Sequence, residues 1–200
     1  MQCNDKLINP AGCSPQNLKV LETHRLVLRR LTPDDAEFIL ALLNEPSWLR
    51  FIGDKGVRTI DDARSYILKG PVDMYARLGF GLYLVELKEQ AVAIGICGLI
   101  KRDSLPDVDI GFAFLPAYWG QGYALEAAAA TMEYAAHTLG LNRILAITSL
   151  DNERSIKLLE KLGLSFKEVL KLSEDAPRVR LFATANKKSG LGVESSSPSA

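Results

Sequence analysis

The stretch "AYWGQGYALEAAAATMEYAA", residues 117–136, sets two glycines, Gly120 and Gly122, against the start of an alanine-rich run. Glycine inside a helix costs roughly 1 kcal/mol relative to alanine, so glycines at this point belong to a turn that leads into a helix. They let the backbone turn tightly and bring its N–H groups up to a ligand. The unpaired N–H groups of the helix's first turn, with the macrodipole behind them, then form an anion site suited to a phosphate or pyrophosphate. No Gly-Lys-Ser/Thr follows, which excludes a Walker loop. A dinucleotide-binding fold is excluded as well, because the glycines come late in the chain and the G-x-G-x-x-G spacing is absent. Other chemistry-bearing residues are sparse. His24 and His137 are the two histidines, and both read as surface residues. Cys3, Cys13 and Cys97 show no metal-ligand spacing, and Cys97 lies in an apolar run where it reads as a small buried hydrophobe. No metal site is expected, and the odd cysteine count fits a reduced, cytoplasmic setting.

The elements that position this loop follow from local pattern. "RLVLRRL" alternates apolar and polar residues as a half-buried strand does. Thr32, Pro33, Asp34 and Asp35 then make a helix start, with a cap, a first-turn proline and acids at the positive end of the dipole. A second helix is predicted after Thr59, with Ile60, Ala63, Ile67 and Leu68 at helical spacing. Three strand-like runs follow, "FGLYLVEL", "AVAIGICGLIKR" and "VDIGFAFL", the first two as a hairpin. Beyond the glycine loop and its helix come a strand "RILAIT", a helix "NERSIKLLEKLG" stopped near Gly163, and two strands, "SFKEVLKL" and "RVRLFATA". The order predicts an α/β (α+β) domain, a single mixed sheet of about six to seven strands covered by about four helices.

The domain spans residues 21–186, between a leader at 1–20 and a Ser-rich tail at 187–200, both read as disordered. Lysine plus arginine equals aspartate plus glutamate, 24 of each, which argues against a general nucleic-acid or membrane binder. No segment reaches the roughly 18 uninterrupted apolar residues of a membrane span. The first residues lack a charged stretch followed by an apolar run, so no secretory signal is expected.

"YWGQGYALEA", with "SLDNERSIKLLEKLGL" further along, resembles the GNAT acyltransferase superfamily. The order and spacing of "LETHRLVLRRLTPDDAEFIL" and "VDIGFAFLPAYWGQGYALEA" are similar to its ribosomal-protein N-terminal acetyltransferase branch, and the likeness covers about residues 21–185. The superfamily's loop pattern, Gln/Arg-x-x-Gly-x-Gly/Ala, places Gly122 and Ala124 at its last two fixed positions and Trp119 at its first. The resemblance implies a GNAT-like fold, mostly antiparallel, and acetyl-CoA as co-substrate. It assigns the pyrophosphate to the backbone of Gly120, Gln121, Gly122, Tyr123 and Ala124. Phe114 and Leu115 would pair with the pantetheine arm, and Asn152 would hydrogen-bond that arm from the other side.

The implied reaction is attack of an amine on the thioester carbonyl of acetyl-CoA. The acceptor is a protein N-terminus or a small-molecule amine, and the enzyme a monomer or homodimer. Asp109, where relatives often carry Glu, is the candidate general base acting through water; the alternative is a strand-end carboxylate paired with Lys or Arg. Many relatives place a Tyr early in the last helix as general acid. This helix has none, and Ser155 stands nearest that region. Trp48 and Phe51 are candidates for the acceptor pocket, and Glu126 reads as support for the loop. A non-catalytic acetyl-CoA-binding sensor of the same fold is the competing reading.

Overall fold

The structure, a computed structural model, describes residues 18–185. The tail, most of the leader, and Cys3 and Cys13 lie outside that span. Among the described residues one eight-stranded sheet runs in the order β1-β2-β3-β4-β5-β6-β8-β7. Its strands are β1 (Lys19–Glu22), β2 (Leu26–Arg30), β3 (Leu82–Leu87), β4 (Val92–Ile100), β5 (Asp109–Phe114), β6 (Leu145–Ser149), β7 (Ser165–Lys171) and β8 (Arg178–Ala183). Neighbours are antiparallel except β5 and β6, which are parallel. The strand beyond the expected count is β1, which begins inside the segment read as leader. It is four residues long and held by pairing with β2 rather than by a pattern of its own.

Helices cover both faces. On one lie α5 (Tyr123–His137) and α6 (Glu153–Lys161), which set Ala127, Ala128, Ala135, Ile156 and Leu159 against Leu28, Cys97, Ile110 and Phe114 of the sheet. Alanines on α5 bring that helix close to the strands. On the other face, α1 (Ala36–Leu43), α2 (Pro46–Phe51) and α3 (Ile60–Ile67) bury Ile39, Leu42, Leu43, Trp48, Ala63 and Ile67 against Leu84 and Ile96. A smaller cluster, Leu105, Leu145, Leu181 and Ala183, lies beneath β6 and β8. The start of the first helix is as the sequence suggests: the Thr32 N–H donates to the Asp35 carboxylate at 2.8 Å, and Pro33–Asp35 form one 3₁₀ turn before α1. Thr59 caps α3, accepting from the Asp62 N–H at 3.1 Å. Past α3 the chain stays helical through a π turn, Leu68–Val72, into α4 (Asp73–Leu78), which ends at Gly79 with φ +78°. Leu68, expected on the apolar stripe, is 48% exposed because that turn rotates it outward.

At Gly98, β4 packs tightly against the backbone at the start of β3. A Cβ there would stand 2.1 Å from the Gly81 carbonyl oxygen and 2.8 Å from the Leu82 Cα, both backbone atoms. Replacing Gly98 by alanine is therefore expected to cost about 2–3 kcal/mol or more, since overpacking has no flexible neighbour to absorb it. Urea unfolding measures this; a variant within 0.5 kcal/mol of the parent (about the scatter of neutral surface changes) would show that the strands separate freely.

Candidate active site

β5 and β6 pair at a single register position, Asp109 with Leu145, and share no pairing beyond it. The two strands run on to Phe114 and Ser149 with a gap between them. The Leu115 N–H donates to the Ile94 carbonyl at 3.0 Å, so by antiparallel alternation 111, 113 and 115 face β4. Phe112 and Phe114 therefore turn their N–H groups into the gap. The Phe114 carbonyl also faces it and accepts the Trp119 indole N–H at 2.8 Å. Leu115 has its N–H on β4 and its carbonyl on the Tyr118 N–H, while the Phe114 N–H meets no acceptor among the described residues.

Both strands lead into helices, so the N-termini of α5 and α6 stand at the open end of the gap. Gly120 and Gly122 hold φ +77° and +83°, and Gly122 is the N-cap of α5. Among the described residues, the N–H groups from Gly120 to Ala124 meet no hydrogen-bond acceptor. Five such donors around a helix start are an arrangement that can receive an anion. At the other helix, the Asn152 side chain accepts from the Ser155 N–H at 3.1 Å and so caps α6. That engages the Asn152 oxygen and leaves its amide NH₂ free of described partners; the Ser155 hydroxyl is free of them too. Arg154, in the first turn of α6, lies over the Trp119 ring at 4.7 Å and ties the two helix starts together.

The loop is anchored by residues that sequence reading alone did not bring together. Glu126, in the first turn of α5, accepts from Thr23 Oγ1 at 2.6 Å, the Arg25 N–H at 2.9 Å and Arg25 Nε at 2.7 Å. The same guanidinium donates to the Gln121 carbonyl at 3.0 Å and lies 4.4 Å from the centre of the Tyr123 ring. Burial pushes the Glu126 pKa up, but the Thr23 and Arg25 hydrogen bonds outweigh it and hold the carboxyl below its usual range. Arg25 reads in the sequence only as the start of a strand.

Asp109 lies at the closed end of the gap and is 1% exposed. Arg102 Nε reaches its carboxylate oxygens at 3.0 and 3.2 Å. Burial raises the Asp109 pKa and Arg102 opposes the rise. The Asp109 carboxylate is thus a strand-end acid paired with arginine. Trp48 is 5% exposed, its indole N–H donates to the Gly53 carbonyl at 3.1 Å, and it packs in the core. Phe51 is half-buried and carries the Arg50 guanidinium 4.8 Å from its ring centre. Arg50 also reaches Asp151, in the turn before α6, at 2.9 Å, which joins α2 to the mouth of the gap. His24 and His137 are exposed. Cys97 is buried, and burial pushes its thiol up to about 12, so it is inert packing. No described helix is long and apolar enough to cross a membrane.

A glycine-lined loop with open N–H donors, at the mouth of a splayed parallel pair, is an arrangement able to receive an anionic, extended ligand. Comparison with known proteins makes this specific. Residues 25–165 match the profile of the acetyltransferase (GNAT) domain. The chain is 32% identical over 154 residues to the uncharacterized N-acetyltransferase YoaA of Bacillus subtilis strain 168, covering 76% of this chain and 86% of that protein. Among solved structures, an acetyltransferase from Agrobacterium tumefaciens superposes with a TM-score of 0.71 at 22% identity, over 90% of this chain and 100% of that one. RimL, a ribosomal L7/L12 alpha-N-protein acetyltransferase solved with coenzyme A, superposes with a TM-score of 0.69 at 18% identity, over 80% and 94%. The chain belongs to the GNAT acetyltransferase family and is an acyltransferase.

Because the Glu126 pKa is lowered in the fold, its contribution is complete above the unfolded glutamate pKa of about 4.3 and is lost as pH falls through the folded value. Glu126→Gln is expected to lower stability by about 1 kcal/mol at neutral pH, after allowance for solvent screening at the loop. The gap to the parent should close on acidification. Urea midpoints across pH measure it, and a gap that widens on acidification would contradict the network.

Proposed function

We propose that this enzyme transfers the acetyl group of acetyl-CoA to a primary amine, a protein N-terminus or a small molecule, by direct attack in a ternary complex. The observation that carries the reading is the gap between β5 and β6 with five uncommitted N–H groups at its mouth. Gly120 to Ala124 would hold the pyrophosphate with backbone donors and the dipole of α5. The Phe112 and Phe114 N–H groups would hold the pantetheine amides from the β5 side, and the Asn152 amide from the α6 side. Acetyl-CoA supplies the thioester carbonyl: the amine nitrogen bonds to its carbon, the carbon–sulfur bond breaks, and the sulfur leaves with the electron pair.

The chain's own residues would then place and protonate. Ser155 is held in the first turn of α6 by the Asn152 cap, where its hydroxyl can donate to the departing sulfur and the helix dipole favours negative charge. Asp109, fixed by Arg102, would shape the floor beside the reacting carbon rather than take the amine's proton directly; water in the open cleft takes that proton. Orientation of two bound reactants supplies much of the acceleration.

The test is release of coenzyme A thiol from acetyl-CoA across a panel of amines and short peptides. Turnover with at least one amine is expected. Tight acetyl-CoA binding with no turnover on any acceptor would favour the non-catalytic sensor instead. Gly122→Val places a β-branched residue at φ +83° and a Cβ 3.3 Å from Arg25 Nη2. It should raise the KM for acetyl-CoA at least about tenfold, the equivalent of roughly one lost hydrogen bond. An unchanged KM in a folded variant would remove the loop from the binding site.

A further inference from the structure

On the sheet face that carries Asp109, α3 and the loop before it wall an open pocket of about 400 Å³, lined by Lys55, Val57, Asp62, Ser65, Tyr66 and Lys69 among others. Its lining residues Val57 and Tyr66 belong to the apolar cluster that reaches Ala113 and Leu115 at the end of β5, which sets the pocket on the β5 side of α3. Its charges are unevenly engaged. The Asp62 carboxylate accepts the N–H groups of Arg58 and Thr59, each at 3.0 Å. Asp109 is held by Arg102, and the nearby Asp54 and Asp61 are paired with Arg58 and Arg64. Lys55 and Lys69 make no ion pair among the described residues, and the hydroxyls of Tyr66 and Ser65 make no hydrogen bond there. Lys55 is exposed as a residue, yet its ammonium loses part of its water to the surrounding protein. That desolvation, with the like charge of Arg102, holds its pKa below the ordinary lysine range. A cation so placed gains from an anionic guest and is penalised by a cationic one.

We propose that the acceptor is an amine bearing a carboxylate, which Lys55 and Lys69 receive in this pocket with the Tyr66 hydroxyl as a further donor, while the amine points to the gap between β5 and β6. This rests on the acetyl-transfer reading above and names its substrate class. Two separate ammonium groups and neutral hydroxyls suit a carboxylate. A phosphate would favour a free guanidinium fork, and no arginine among the described residues lines the pocket. A polyamine would meet two unpaired cations.

The carboxylate could come from a free amino acid or from an acidic residue near a peptide's N-terminus, and the assay separates them. Acetylation is measured for free alanine, alanyl-aspartate amide, alanyl-asparagine amide and spermidine. At least one carboxylate-bearing amine should exceed both alanyl-asparagine amide and spermidine in kcat/KM by roughly tenfold, the effect of one or two partly exposed charge contacts. A preference for free alanine assigns the amino acid, and a preference for alanyl-aspartate amide assigns the acidic peptide. The double variant Lys55→Glu, Lys69→Glu should lose that preference through KM, with coenzyme A binding by calorimetry intact as the check on folding. Equal rates with and without the carboxylate, preference for spermidine, or an unaffected double variant would overturn the proposal. Turnover absent on every amine, with lysine-dependent binding of alanyl-aspartate amide still seen by calorimetry, would overturn the transferase reading and leave the pocket assignment standing.

Discussion

The structure depends on a parallel pair that is made once and then abandoned. β5 and β6 meet at Asp109 and Leu145, and past that point, among the described residues, each strand's inner edge has no strand partner. Backbone N–H groups are obligatory donors, so an edge left open inside a sheet must be met by water or a ligand. The rest of the molecule keeps the opening from closing. β6 is committed along its other edge to β8 at five register positions, and β5 along its other edge to β4 at six. The Trp119 indole occupies the Phe114 carbonyl at the rim. The helix starts that follow the two strands are joined across the mouth by Arg154 on Trp119 and are fixed from behind by Arg25 and Glu126.

In the proposed reaction one face of the opening would take an anion and an extended chain, and the other the acceptor. The glycine loop and the starts of α5 and α6 supply donors at the mouth. The α1–α3 face supplies the pocket on the β5 side of α3. The two reactants would approach from opposite sides of the sheet and meet where the strands part. That geometry suits a direct transfer, because neither reactant has to displace the other.

The parts of this arrangement written in short-range pattern were legible in the sequence. The strand alternation of "RLVLRRL", the capped start after Thr32, the Thr59 helix and the glycine turn before α5 each depend on neighbours a few residues apart, and each is found in the fold. Glu126 as support for the loop is borne out by its three hydrogen bonds, but its partners, Thr23 and Arg25, lie about a hundred positions away and no local pattern names them. For Asp109 the sequence left two readings, and its partner is named only by the turn after β4 that carries Arg102 back to it. Trp48 illustrates the opposite case: an aromatic between two helices suits a pocket or a core equally, and its burial is decided by Ile39, Leu42 and Val57 packing in the same cluster. Lys55 and Lys69 carry no motif at all, and only the loop before α3 and the π turn after it bring them to one pocket.

The central claim is that the open backbone donors of β5 and of the α5 start hold the co-substrate. Amide nuclear magnetic resonance of the full chain, titrated with acetyl-CoA, reads those donors directly. The account predicts that the largest shifts fall on the N–H groups of Phe112, Phe114 and Gly120 to Ala124, with Leu115, whose N–H is already bound to Ile94, moving little. Shifts concentrated instead on α3 and the Lys55 pocket, with the glycine loop unmoved, would contradict it.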